Sequence, residues 1–225
     1  MEVTTAVRER QDKNPNSIRA ITNRVASAVF EHRAKNEIGL FPSGPEKSRE
    51  AALVGLGRGL ALRRSALVTA FRSKDRELVV RRSRILMEAY ETAADSLWSY
   101  GYSILPNSGK AIETRAESLA KSADFYGKAA KIADNLGLSE NFFVYLRLQA
   151  EVLKKTANAY ITRGPGFTGK AIGYMEKAIV VAKKGWWDLP DPRDIPSHIV
   201  SNVEEMETVL KGYRKRLDAS AIQKA

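Results

Sequence analysis

Apolar residues recur at spacings of three and four along most of this chain, a period that predicts amphipathic helices. Ile18, Ile21, Val25, Val29 and Phe30 mark a first helix, capped by Ser17 and running to about Asn36, with Arg19 and Arg24 off its stripe. Leu53, Leu56, Leu60, Leu67 and Phe71 mark a second, with Ser43 as a cap and Pro45 in its first turn. Leu78, Ile85, Leu86, Ala89, Ala93 and Leu97 give the buried face of a third, to about Tyr100. A fourth spans Lys110 to Asn135, a fifth Ser139 to Arg163 and a sixth Lys170 to Lys184, the last stopped by Gly185. Turn residues separate them at 39–45, Ser73–Asp75, Leu105–Gly109, Gly137 and Gly164–Gly166. Trp186 to Pro196 holds three prolines in seven residues and predicts an extended strap. Its two tryptophans either pin the strap to the bundle or offer a partner-binding pair.

The last helix, from Ser197 to Ile222, has a different rhythm. Ile199, Val203, Met206, Leu210, Tyr213 and Leu217 follow a 4-3-4-3-4 spacing, a heptad seam. Acids lie early in it and bases late, which complements the helix dipole. Such a seam packs on a second subunit or on the chain's own bundle; it is assigned here as the oligomer contact. The fold class that follows is all-α, six to seven helices in a bundle-like or irregular helical-hairpin domain. The expected division is an arm over 1–15, a helical domain over 16–196 with a basic N-terminal half, and the heptad-patterned helix over 197–225.

Composition narrows the chemistry. With 225 residues, 44% of them hydrophobic, the chain is able to bury a core. It has no cysteine, which excludes disulfides, thiolate nucleophiles and Cys-based zinc sites. Its two histidines, His32 and His198, lack partners at metal or catalytic spacing, so no metal site and no cofactor is expected. No HExxH pattern, Ser-His-Asp arrangement or Walker loop is present, and an enzyme is not expected. The N-terminal residues lack an apolar signal region and no run approaches a membrane span. The expected setting is intracellular and soluble (cytoplasmic), or a virion.

Charge changes the picture most. The net charge is +11, and residues 1–87 hold 18 Lys and Arg against 9 acids, while residues 88–225 hold 19 against 17. Between Gly57 and Arg84 stand nine cations, Arg58, Arg63, Arg64, Arg72, Lys74, Arg76, Arg81, Arg82 and Arg84, with only Asp75 and Glu77 beside them. Such density calls for an anionic partner. Arginine outnumbers lysine 14 to 4 in the first 87 residues, and its planar fork suits phosphate oxygens. The arm adds Arg8, Arg10 and Lys13. At about 100° per residue, Arg58, Arg63, Arg64 and Arg72 do not share one narrow face. They either wrap a helix lying between strands of nucleic acid or are scattered. Gly55, Gly57 and Gly59 are read as a close helix crossing or as a phosphate-binding nest. Trp98, Tyr100 and Tyr102 either stack on bases or plug the end of the bundle.

Ala171, Met175 and Ala178, with Leu153, Ala157 and Tyr160 before them and the pair Ala123 and Ala130 upstream, give residues 110–185 a resemblance to tetratricopeptide helical hairpins. The alanine pairs lie 48 residues apart, against the family's period of about 34. The resemblance implies a protein-binding groove formed by helices four to six. The leading expectation remains a non-catalytic nucleic-acid-binding protein of coating or architectural type, such as a nucleocapsid or coat protein. It would bind the DNA or RNA backbone with little sequence readout and self-associate through its C-terminal half. The alternative is a tetratricopeptide-like interaction scaffold.

Overall fold

The computed structural model describes residues 22–30, 46–187 and 197–222. Seven α-helices and one 3-10 turn make up the described residues, with no strand among them, so the fold is all-α. Residues 22–30 form α1; the others are α2 (Glu46–Arg72), α3 (Arg76–Ser103), α4 (Gly109–Asn135), α5 (Ser139–Arg163), α6 (Thr168–Trp187) and α7 (Ser197–Ile222). Two compact units divide the chain, residues 1–90 and 91–225, and the boundary falls inside α3.

In the first unit, Ser27 is the point where three helices meet. It is fully buried, and its hydroxyl donates to the Ala66 carbonyl at 2.9 Å while accepting from Arg82 Nε at 3.0 Å. A serine is small enough to let α1 approach the backbone of α2. The expected stripe therefore fails on α1: Val25 is 59% exposed and Val29 45% exposed. The packing face is chosen by the small residue and not by the valines. Leu56, Leu60, Ala66, Ala70, Leu86 and Met87 supply the buried apolar residues of α2 and α3.

The turn from α2 to α3 matches its expected place. Lys74 takes a left-handed conformation, φ 57°, and its N–H bonds to the Phe71 carbonyl at 3.1 Å. Asp75 then caps α3, its Oδ1 accepting from the Leu78 N–H at 3.0 Å. The three glycines of α2 do not break the helix, and a Cβ at Gly57 would meet nothing within 4 Å. Gly57 is therefore neither a close crossing nor part of a nest.

The second unit is packed through alanine. Ala116, Ala123 and Ala130 on α4, Ala150 and Ala157 on α5, and Ala171 and Ala178 on α6 recur every seven residues and are all buried. Without large side chains, α4 packs on α5 and α5 on α6, with α7 laid on α6. Gly137, φ 67°, ends α4 in a Schellman turn: the Leu138 N–H reaches the Ala133 carbonyl at 2.9 Å and the Gly137 N–H that of Asp134 at 3.0 Å. Gly164, φ 125°, ends α5. The helix α6 runs through Gly185 to Trp187, past the stop expected there. Residues 188–196 of the expected strap lie outside the described residues.

The heptad seam of α7 is occupied within the chain, which corrects its assignment as an oligomer contact. Val203, Met206, Leu210 and Tyr213 are buried, and the Tyr213 hydroxyl donates to Asn158 Oδ1 of α5 at 2.6 Å. Ion pairs flank the seam: Lys154 with Glu205 at 3.0 Å, Lys183 with Glu207 at 2.7 Å and Arg214 with Glu176 at 2.8 Å. Leu217 is left exposed, and the side chain of Ile199 lies outside the described residues. A heptad seam in sequence states its period but not the identity of its partner.

Candidate nucleic-acid interface

The cations of α2 and α3 sort into two groups once their surroundings are known. Arg82 departs from the expected exposed set: it is 8% exposed, its stem buried and its Nε spent on Ser27. Arg64 lies with its Cζ 5.5 Å from the centroid of the Tyr90 ring and donates from Nε to the Tyr90 hydroxyl at 2.6 Å, tying α2 to α3. Arg63 is half-buried. Arg82 is thus buried within the unit, while Arg64, though exposed, is engaged by Tyr90.

Arg58, Arg72, Lys74, Arg76, Arg81 and Arg84 are exposed, and among the described residues none has a carboxylate within ion-pair distance. The nearest acid in sequence, Asp75, is engaged twice, by the cap of α3 and by Arg24 Nε at 2.9 Å. That leaves Arg72, Lys74 and Arg76 around one tight turn. Arg58 and Arg72 fall within about 40° of each other on α2, so removing Arg63 and Arg64 from the set resolves its apparent scatter. On α3, Arg76, Arg81 and Arg84 span an arc of about 140°, which they share with the exposed Glu77. Beside this turn Phe71 is 60% exposed and Val68 49% exposed. The arm residues Arg8, Arg10 and Lys13 lie outside the described residues.

Such an arrangement presents guanidinium groups that are not already neutralised, next to apolar surface. Phosphate oxygens accept bidentate hydrogen bonds from such groups, and the counterions that both sides release on contact favour binding.

In the second unit the cations are handled differently. Lys155 Nζ lies 5.2 Å from the Tyr102 ring centroid and 5.9 Å from that of Trp98, and pairs with Glu151 at 3.3 Å. Trp98 meets Tyr126 edge-on at 6.1 Å, so this tryptophan packs within the unit, while Tyr102 is 41% exposed. The rings of Phe167, Tyr160 and Tyr174 stack in sequence at 6.2 and 5.5 Å, with Lys170 against the first two. Arg163 pairs with Glu113. A cleft of about 490 Å³ lies among Tyr102, Ile112, Arg115, Lys155, Asn158 and Thr162. Sequence reasoning did not find it, because its residues come from three elements. Lys155, Asn158 and Thr162 do share one face of α5, at spacings of three and four, and that polar stripe was its one sequence signal.

Among the described residues no group of three or more His, Asp or Glu could hold a metal ion. No helix there is long and apolar enough to cross a membrane. No protein-family model matches the chain, and no curated protein matches it. One solved structure, described as "Computational Design of Self-Assembling Cyclic Protein Homooligomers", is similar at 15% identity and a TM-score of 0.32, over 94% of this chain and 91% of that one. A likeness that low bears on neither function nor assembly.

Proposed function

We propose that the chain binds nucleic acid through its phosphate backbone, without catalysis and with little sequence readout, as a coating or architectural protein. The observation that carries this reading is the set of six exposed cations, Arg58, Arg72, Lys74, Arg76, Arg81 and Arg84, that have no carboxylate partner among the described residues. A charge surface serving only solubility or stability gains from pairing its cations with acids, and the second unit does so repeatedly. Arginine at the turn, flanked by exposed Phe71 and Val68, offers both phosphate contacts and apolar surface for sugars or bases. A coat or nucleocapsid role adds self-association. With the α7 seam filled, the apolar surface left for that includes Val54, Val68 and Phe71 on α2 and Leu217 on α7.

The test is binding of a short labelled duplex, single-stranded DNA and RNA across a salt series. Affinity is expected to fall steeply with salt, by about 0.9 logarithmic unit per phosphate neutralised on duplex DNA. Charge reversal of Arg72, Lys74 and Arg76 together is expected to flatten that slope by about two to three units. Absence of binding to all three at low salt would discard the reading. The second reading, a tetratricopeptide-like protein-binding scaffold, draws on the burial of Ala123, Ala130, Ala171, Met175 and Ala178. It predicts no steep salt dependence and a protein ligand held by α4 to α6.

A further inference from the structure

We infer that the cleft between the end of α3, α4 and α5 is a binding site for a small organic anion, a carboxylate or phosphate carried on a flat apolar body. The inference is independent of the nucleic-acid reading, which concerns other residues in the other unit.

Three features converge. First, the cations. Arg115 Cζ and Lys155 Nζ both lie 5.2 Å from the centroid of the Tyr102 ring. Lys155 has Glu151 as a partner, but Arg115 has no carboxylate within ion-pair distance among the described residues. No acid lines the cleft, so nothing there answers the guanidinium charge. The Tyr102 hydroxyl, with Glu151 behind it, holds the Lys155 ammonium above its ordinary value, although burial pulls the other way. The ammonium is therefore charged throughout the physiological range.

Second, the polar groups are arranged as donors. Asn158 Oδ1 already accepts from the Tyr213 hydroxyl at 2.6 Å, so the amide NH₂ is the part left to serve the cleft. Thr162 donates its proton to the Ala159 carbonyl at 2.8 Å and keeps its lone pairs. It would accept from a ligand hydroxyl. Arg115, Lys155 and Asn158 together offer the donor set that a carboxylate or phosphate requires.

Third, the walls are apolar. Tyr102, Ile112, Pro106 and Ala159 complete the lining, and the volume, about 490 Å³, falls in the range of small-molecule sites. Apolar walls around a few convergent polar groups are how such sites orient a ligand. A bare inorganic anion would leave those walls unused.

The probes are phenyl phosphate, benzoate and uncharged benzyl alcohol, titrated into the full chain and followed by ¹⁵N–¹H NMR. At least one of the two anions is expected to shift the amides of Lys155 to Thr162 and the Arg115 side-chain Nε–H saturably. Which anion does so assigns phosphate or carboxylate. Benzyl alcohol is expected to bind at least about tenfold more weakly. Arg115→Gln should weaken the anion by about tenfold or more with its melting temperature held, and Lys155→Gln is the second variant should the first fail to fold. Either variant leaves salt-dependent nucleic-acid binding unchanged, so failure here and failure of the proposed function are separable. The inference is overturned if neither anion shifts those signals at millimolar concentration. It is equally overturned if benzyl alcohol binds as well as the anions, or if both variants bind the anions as the wild type does.

Discussion

The two units treat part of their cationic surface differently. In residues 91–225 Lys154, Lys183 and Arg214 meet acids of other helices, and Lys170 lies against stacked rings. In residues 1–90 Arg24 pairs with Asp75, while Arg58, Arg72, Lys74, Arg76, Arg81 and Arg84 meet no acid among the described residues. Their packing differs as well. The second unit packs through heptad-spaced alanines, whereas the first brings α1 to α2 through the single buried Ser27; both leave some apolar side chains exposed, Val68 and Phe71 in the first and Leu105 and Val180 in the second. Net charge alone does not separate an adhesive role from a binding role. What bears on the choice is whether an exposed cation meets a counter-ion among the described residues.

The largest effect that could break this comparison is on binding. Reversing Arg72, Lys74 and Arg76 to Glu is expected to cost about a hundredfold or more in nucleic-acid affinity at low salt, read by fluorescence anisotropy. Reversing Lys183 and Arg214 in the second unit should change it only a few-fold. Equal losses would mean that the charge difference between the units has no functional content. Next in size is packing. Ala157→Leu forces a larger side chain between closely packed helices and should destabilise the fold by about 1–3 kcal/mol in a denaturant titration. Ser27→Ala removes a buried hydroxyl that accepts from Arg82 Nε and donates to the Ala66 carbonyl, and should cost about 1–3 kcal/mol.

A pH titration sharpens the comparison further. Tyr126, Tyr160, Tyr174 and Tyr213, all in the second unit, have their hydroxyls held above the ordinary phenol range, burial being the first cause in each. A phenol whose folded value is raised contributes stability that is full below its unfolded value of about 10. That contribution is lost as pH rises beyond it. The unfolding midpoint should therefore hold to about pH 10 and then fall, and Tyr126→Phe should make the fall shallower. The smallest effect runs the other way. Gly57→Ala, at an exposed helical position with open space around it, should stabilise the fold by about 1 kcal/mol.

Helices and turns were legible because period and punctuation are local. Ser73–Asp75, Gly137 and Gly164 end their elements where the residues demand it. What failed depends on distant neighbours. Val25 and Val29 read as a buried stripe, yet Ser27 sets the contact, because a small donor facing the Ala66 carbonyl allows closer approach than a valine. Arg82 reads as surface, and a hydroxyl 55 residues away in sequence helps to make its burial tolerable. Gly185 did not stop α6, since a glycine mid-helix carries a penalty but does not forbid the conformation. The α7 seam was correct in period and open in partner. For the cleft, Tyr102, Arg115 and Lys155 come together only through the packing of three elements.

One feature of the second unit governs which of its possible packings is populated. Alanine faces are nearly uniform along a helix, so a slip of one turn, about 5.4 Å, would meet almost the same surface. Buried tyrosines remove that ambiguity. Glu91 and Asp95 stand one turn apart on α3; Tyr145 of α5 donates to the first at 2.7 Å and Tyr126 of α4 to the second. Tyr213 does the same between α7 and Asn158. A slipped helix would strand each hydroxyl and its acceptor out of reach of one another. The alanines let the helices come close, and these three hydroxyls open an energy gap between the native register and its near-copies.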